Sequence, residues 1–123
     1  MNKALMESYY QTYNSENVAQ LRTFYHSDLE FISTQGVQHG PDELLKTYQY
    51  LTSIFHDEMT PTDIVISGKV AVVTIKDTFT AKTPIDDFMG LAFKVGDVFT
   101  LDLTGTYEAE AGKFIKITID ILD

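Results

Sequence analysis

The chain has no cysteine. Disulfides, thiolate chemistry and cysteine-based zinc sites are therefore excluded. Basic residues are scarce: nine Lys and Arg stand against 18 Asp and Glu, a formal net charge of −9. That balance repels phosphate backbones and anionic lipid, so neither nucleic acid nor membrane is an expected partner. No apolar run approaches the ~18 residues of a membrane span. The opening stretch MNKALMESYYQTYNSEN carries Glu and Tyr where a signal peptide keeps an apolar core, and a cytoplasmic location is expected. No two histidines have chelating spacing, no glycine-rich phosphate loop occurs, and no serine has a triad context. No metal and no cofactor is expected on those grounds.

What remains is an ordinary globular composition, 44% hydrophobic and 22% charged over 123 residues. That length suits one domain spanning residues 1–123 and suffices for a core without staples. Residues 3 to 14 place Leu5, Met6, Tyr9, Tyr10 and Tyr13 at helical spacing. Asn17, followed by Gln20, opens a second helix carrying Val18, Leu21, Phe24 and Tyr25, which HSD closes. LEFIST reads as a short strand. Pro41, at a first helical position and followed by Asp42 and Glu43, starts a third helix whose buried stripe is Leu44, Leu45, Tyr48, Leu51 and Phe55. His56, Asp57 and Glu58 then read as its solvated end.

From residue 61 the period changes to two. TDIVIS, VAVVTIKDTFTAK, DVFTLDLTGTYEAE and KFIKITIDIL are strands, joined in antiparallel pairs by tight turns at SGK and EAGK. TPIDDFMGLAFKVG reads as an apolar loop that folds over the interior. Each long strand has one apolar face and one face rich in threonine, and the apolar face needs the three helices as cover. The expected fold class is α+β. One position breaks the apolar face: in AVVTIKDTFTA, Asp77 shares the register of Ala71, Val73, Ile75, Phe79 and Ala81. A carboxyl there either faces an apolar pocket with a raised pKa, or sits at the wet end of the sheet beside Lys82 or Lys94.

The order of elements and four motifs, FYHSDLEF, GVQHGPDEL, DFMGLAFKVG and YEAEAGKFIKI, resemble the nuclear transport factor 2-like superfamily, in its SnoaL-like and ketosteroid-isomerase-like branches. The resemblance implies a cone-shaped barrel: a strongly bent, mostly antiparallel sheet wrapped around three N-terminal helices. It implies an enclosed apolar pocket and, in many members, a homodimer packed sheet against sheet, for which the threonine-rich face would serve. Tyr9 falls where the isomerase pattern keeps an oxyanion-hole tyrosine. Its protonated aspartic acid corresponds to Gly105, and FISTQ offers no carboxylate base. The cyclase His and Asp correspond to Ile117 and Ile119.

The resulting expectation is a binder of a small, largely hydrophobic molecule, with acid–base chemistry of isomerase, cyclase or dehydratase type. The alternative is a non-catalytic homodimeric module with a vestigial pocket. Asp77 is the candidate proton-transfer group, Tyr9 the orienting donor and His39 a candidate proton shuttle at the pocket mouth. Tyr13, Phe55, Phe79, Phe88, Met89 and Phe93 are expected to line the pocket, together with Leu101, Leu103, Tyr107 and Ile117. Asp86 and Asp87 precede the apolar loop, as a turn or an entrance charge.

Overall fold

The computed structural model describes residues 1–122. Helix α1 spans Lys3–Asn14, with the side chain of Asn2 accepting from the Leu5 N–H at 2.8 Å. Helix α2 covers only Val18–Arg22; its cap is Asn17, which accepts from the Gln20 N–H at 3.1 Å. The residues HSD do not close a helix. They lie in β1 (Tyr25–Ser33), which pairs with β2 (Gly36–His39). Helix α3 runs Pro41–Ile54. The chain passes from it straight into β3 (Phe55–Ser67): Phe55 gives its N–H to the Leu51 carbonyl while already extended, with φ −127° and ψ 148°. Phe55, expected on the helical stripe, is therefore a strand residue.

Strands β4 (Val70–Ala81), β7 (Val98–Glu110) and β8 (Lys113–Ile121) follow in the expected hairpins. Between β4 and β7 the apolar segment is not an irregular loop. It forms a small separate hairpin of β5 (Ile85–Phe88) and β6 (Leu91–Phe93). Met89 and Gly90 both take positive φ, 54° and 83°, as a two-residue turn matching strand twist requires. Asp87 Oδ1 accepts from the Gly90 N–H at 2.9 Å, which makes it a turn residue.

The main sheet has the order β2-β1-β8-β7-β4-β3, antiparallel throughout except for the parallel β1–β8 pair. The α+β class and the curved sheet are those expected, but the sheet does not close into a barrel. Strands β2 and β3 remain edges. Pro61 sits on edge strand β3, where a missing N–H is tolerated, beside a bulge before Asp63. A second bulge, between Glu108 and Ala109 of β7, leaves Ile115 without a partner. Phe114 and Ile117 both point inward as a result, and Ile115 between them is only partly buried.

Burial on β4 alternates at every step, with Ala71, Val73, Ile75, Asp77, Phe79 and Ala81 all buried. Two aromatic regions cover that face. One gathers tyrosines from α1, α3, β1 and β7 around Met6, Leu21 and Phe114. The other gathers Phe55, Phe79, Phe88, Phe93 and Phe99. Among the described residues no helix is long and apolar enough to cross a membrane.

Candidate functional site: a buried carboxyl pair beside two cavities

Asp77 is 3% exposed, and it is not alone. Asp57, 1% exposed, lies on the neighbouring strand. Met59 is the register partner of Asp77 and Phe79 that of Asp57, so the two carboxyls are diagonal neighbours on the inner face. Tyr13 reaches down from α1 and donates its hydroxyl to Asp57 Oδ2 at 2.7 Å. Asp57 Oδ1 and Asp77 Oδ1 are buried and find no donor among the described residues. Two acceptors left facing one another in this way call for a proton between them.

The electrostatics agree. Burial raises the pKa of Asp77 to about 10, and the hydrogen bond and charge of Asp57 push the same way. Burial also raises Asp57, against the opposing pull of the Asp77 and Tyr13 hydrogen bonds. Asp77 therefore keeps its proton at neutral pH and donates it, while Asp57, whose hydrogen bonds favour its charged form, is the first of the two to give a proton up. Among the described residues no lysine neutralises the pair: Lys82 bonds instead to Glu16 at 2.6 Å and to the Thr52 carbonyl at 2.7 Å. Of the consecutive trio His56, Asp57 and Glu58, strand alternation turns only Asp57 inward. Among the described residues no group of three His, Asp or Glu is arranged to hold a metal.

Five tyrosines, 9, 13, 25, 48 and 107, line a cavity of about 140 Å³. The hydroxyls form a network. Tyr9 and Tyr25 share one hydrogen bond of 2.8 Å, Tyr10 donates to Tyr107 at 2.9 Å, and Tyr48 donates to the backbone oxygen of Tyr13. Burial raises the pKa of Tyr9, Tyr13, Tyr25 and Tyr107 well above the ordinary phenol value, and that of Tyr48 to about 12. All five stay neutral near pH 7. Gly105 makes this arrangement possible, since a Cβ there would stand 2.7 Å from Cε1 of the Tyr107 ring.

A second cavity, of about 280 Å³, is lined by Phe79, Phe88, Met89, Phe99 and Leu101. The two cavities share Thr47 and Leu51, one turn apart on α3. Beneath them runs the register row Met59–Asp77–Leu101, with Met59 lining the first cavity and Leu101 the second. The Asp77 carboxyl itself lines neither.

Of the residues singled out from sequence, Tyr9, Tyr13 and Tyr107 line the tyrosine cavity, and Phe79, Phe88, Met89 and Leu101 line the phenylalanine cavity. Phe55, Phe93, Leu103 and Ile117 line neither and are packing residues. His39 stands apart: it is exposed at the end of β2, and its backbone N–H donates to Glu43 Oε2 at 3.1 Å. Its surroundings are a shallow surface cleft with Ser27, Asp28, Leu29 and Gly40. Among the residues that sequence reading missed are Asp57, Tyr25, Tyr48, Thr47, Leu51, Met59 and Phe99. Alternation could have found Asp57 had β3 been started at residue 55.

The family model described as a SnoaL-like domain matches residues 6–117. No curated protein matches the chain. Several solved structures share its fold at low identity. One is IdmH, a candidate polyketide cyclase from Streptomyces antibioticus, 16% identical with a TM-score of 0.77, covering 94% of this chain and 88% of that one. Another is an LEH-like epoxide hydrolase of M. tuberculosis, 10% identical with a TM-score of 0.77, covering 97% and 80%. A third, from Catenulispora acidiphila, has a ketosteroid isomerase-like fold and was solved in complex with trimethylamine; it is 9% identical with a TM-score of 0.77, covering 97% and 85%.

Proposed function

The chain belongs to the SnoaL-like domain family, and from that premise we propose that it binds a small, largely apolar molecule between α3 and the inner sheet face and acts on it by acid–base chemistry of its own side chains. The observation that carries this reading is Tyr13. Its ring lines the tyrosine cavity while its hydroxyl rests on the buried carboxyl pair. A proton leaving a bound molecule passes to the Tyr13 oxygen as the Tyr13 proton passes to Asp57. The electron pair of the broken C–H bond moves onto a carbonyl oxygen of the substrate. Tyr9 and Tyr25 hold one spare O–H between them, and Tyr107, which accepts from Tyr10, keeps its own. Those donors suit a developing oxyanion. Return of the proton at another carbon completes an isomerisation; attack of the carbanion on a second carbonyl carbon, with the proton returned to the alkoxide that forms, completes a cyclisation.

Two NMR titrations test this. Cyclohexanone should shift the resonances of Tyr13, Tyr25 and Met59 and leave those of Thr78 and Thr104 on the outer face unmoved. The Asp77 carboxyl carbon, assigned with Asp77→Asn, should titrate far above the ~3.9 of a free aspartate. An unmoved cavity, or an Asp77 that titrates at the free value, would return the chain to a non-catalytic module.

The outer face supports a second, independent proposal, a homodimer. Val65 and Val72 are 54% and 40% exposed there beside the threonine rows of β4 and β7. Sedimentation of the protein and of Val72→Lys tests it; a monomeric wild type rejects it.

A further inference from the structure

The Tyr13–Asp57 hydrogen bond joins the end of α1 to the start of β3, and a second bridge runs beside it. Asn14, the next residue of α1, reaches the same strand two residues further on. Its Nδ2 donates to the Met59 carbonyl at 2.9 Å, and its Oδ1 accepts from the Met59 N–H at 2.8 Å. A primary amide carries donor and acceptor side by side. This one side chain therefore pairs with both backbone groups of a single residue, as a neighbouring strand would. β3 is an edge of the sheet, and at Met59 the Asn14 amide stands in for the strand it lacks.

An Asn at the end of a helix commonly turns the chain in the left-handed region or bonds to nearby backbone. Here other residues do both. The left-handed residue is Glu16, at φ 62°. The C-cap is Ser15, whose N–H and hydroxyl both donate to the Thr12 carbonyl. Asn14 is still helical, half-buried, and its amide crosses to β3.

The two bridges close a ring. Tyr13 and Asn14 are adjacent on α1. Asp57 and Met59 are alternate residues of β3, so both side chains turn to the inner face. Fixing Asn14 to Met59 fixes how far the Tyr13 hydroxyl stands from Asp57. Tyr48 adds a third point by donating to the backbone oxygen of Tyr13. Resting on the functional reading above, we infer that Asn14 is a positioning residue for the proton relay: its paired hydrogen bonds to the Met59 backbone hold the Tyr13 hydroxyl on Asp57. The groups that favour the charged form of Asp57 are Asp77, Tyr13 and His56. Asp77 is held in β4, and His56 is exposed, against Glu16. Only Tyr13 shares an element with Asn14.

NMR titration of the Asp57 carboxyl carbon tests the inference in four proteins: wild type, Asn14→Ala, Tyr13→Phe and the double variant. Asn14→Ala should raise the lower titration step of the Asp57–Asp77 pair, because the Tyr13 bond that favours the Asp57 anion is loosened. In the Tyr13→Phe background the same substitution should leave that step unmoved. Asn2→Ala uncaps the other end of α1 and is the control; it should lower stability and leave the titration where it was. In the unsubstituted protein the Met59 N–H should exchange about tenfold more slowly than an unpaired edge amide, as one retained hydrogen bond of ordinary net strength gives. An Asn14→Ala protein that loses stability with Asp57 unmoved makes Asn14 a structural residue and overturns the inference. So does an equal rise in both backgrounds. So does a freely exchanging Met59 N–H, a result that depends on no variant folding. All three leave the relay itself standing. A Tyr13→Phe protein in which Asp57 does not move overturns the relay and the positioning role together.

Discussion

The inner face of one sheet carries two aromatic clusters that differ by little more than oxygen. Around α1, Tyr9 packs against Tyr10, Phe24, Tyr25, Tyr107 and Phe114 with centroids 5.0–6.0 Å apart at steep angles. Around the start of β3, Phe55 packs against Phe79, Phe88, Phe93 and Phe99 at 5.0–5.7 Å, again at steep angles. Packing is equivalent in the two places. Only the tyrosine half has hydroxyls, and only it can hold protons in fixed places inside a low dielectric. The carboxyl pair lies at the border, with Asp57 opposite Phe79 in register and hydrogen-bonded to Tyr13. The phenylalanine half supplies stability and a dry wall; the tyrosine half supplies direction.

The sharpest way to break that division is to empty the centre of the phenylalanine half. Phe55 is fully buried and touches the other four rings of its cluster. Phe55→Ala should destabilise the fold by about 3–5 kcal/mol, the range for a buried Phe truncation. Urea unfolding measures it. The Tyr9–Tyr25 and Tyr10–Tyr107 hydrogen bonds should survive in the folded fraction, visible as slowly exchanging hydroxyl protons. A loss below 1 kcal/mol would mean the two halves are not divided as described.

The carboxyl pair gives the next effect, and its sign is fixed by linkage. Asp77 has a folded pKa of about 10, against ~3.9 in the unfolded chain. Between those values the folded state holds a proton that the unfolded state has released. Stability therefore falls as pH rises from about 4 toward 10, by up to about 1.4 kcal/mol per pH unit for one proton. Asp77→Asn cannot ionise but can still donate to Asp57, so it should flatten this slope and be the more stable protein at pH 8. Melting temperatures of both proteins from pH 5 to 8 check it; parallel curves would show that Asp77 is solvated.

These two experiments fall on residues that differed in how plainly the sequence displayed them. Asp77 was legible because β4 alternates without a fault from Ala71 to Ala81, leaving a single polar residue in an apolar row. Asp57 was hidden by its neighbours. Leu44, Leu45, Tyr48, Leu51 and Phe55 fit one helical stripe, so the pattern carries the helix on to residue 55. No Gly or Pro marks the change of period, because the helix ends and the strand begins at the same residue. The β5–β6 hairpin was hidden for the opposite reason. Its strands are four and three residues long, too short to establish a period, and its turn begins with Met89, not with the Asn or Asp that usually announces such a turn. Helices α1 and α3, strands β4, β7 and β8, and β3 from residue 62 onward were readable because each has a sustained amphipathic face; α2 has only five residues, and its pattern ran on into β1. The two-cavity interior was not, since it depends on how α3 lies over the sheet.

Tyr13→Phe sharpens the comparison more gently by making one tyrosine resemble its phenylalanine counterparts. Among the described residues it removes the only donor outside the pair that reaches Asp57, and it leaves Oδ2 unpartnered and buried. The expected loss is about 1–3 kcal/mol. Asp57 should titrate higher still, because a hydrogen bond that lowered its pKa is gone. A neutral substitution with an unmoved Asp57 would place water, not Tyr13, on that carboxylate.

The smallest expected effect concerns the cation that could have explained Asp77 away. Lys82 follows β4 directly and lies within sequence reach of the carboxyl pair, yet its ammonium joins Glu16, which also meets His56 Nδ1 at 3.3 Å. That cluster is partly exposed, with side chains 32–46% accessible, and such ion pairs contribute about 0–1 kcal/mol. Lys82→Ala should cost no more than that in urea unfolding, and the effect should shrink further in high salt. Glu16, held below the usual carboxylate range first by its bond to Lys82, should rise toward its free value. Asp77 should not move. Its raised pKa comes from burial and from Asp57, neither of which Lys82 touches. A fall in the Asp77 pKa on removing this cation would make no electrostatic sense unless the strand had opened to water. A rise would show that Lys82 reaches the pair in solution, and the site would then be an ion-paired triad in place of a proton-sharing one.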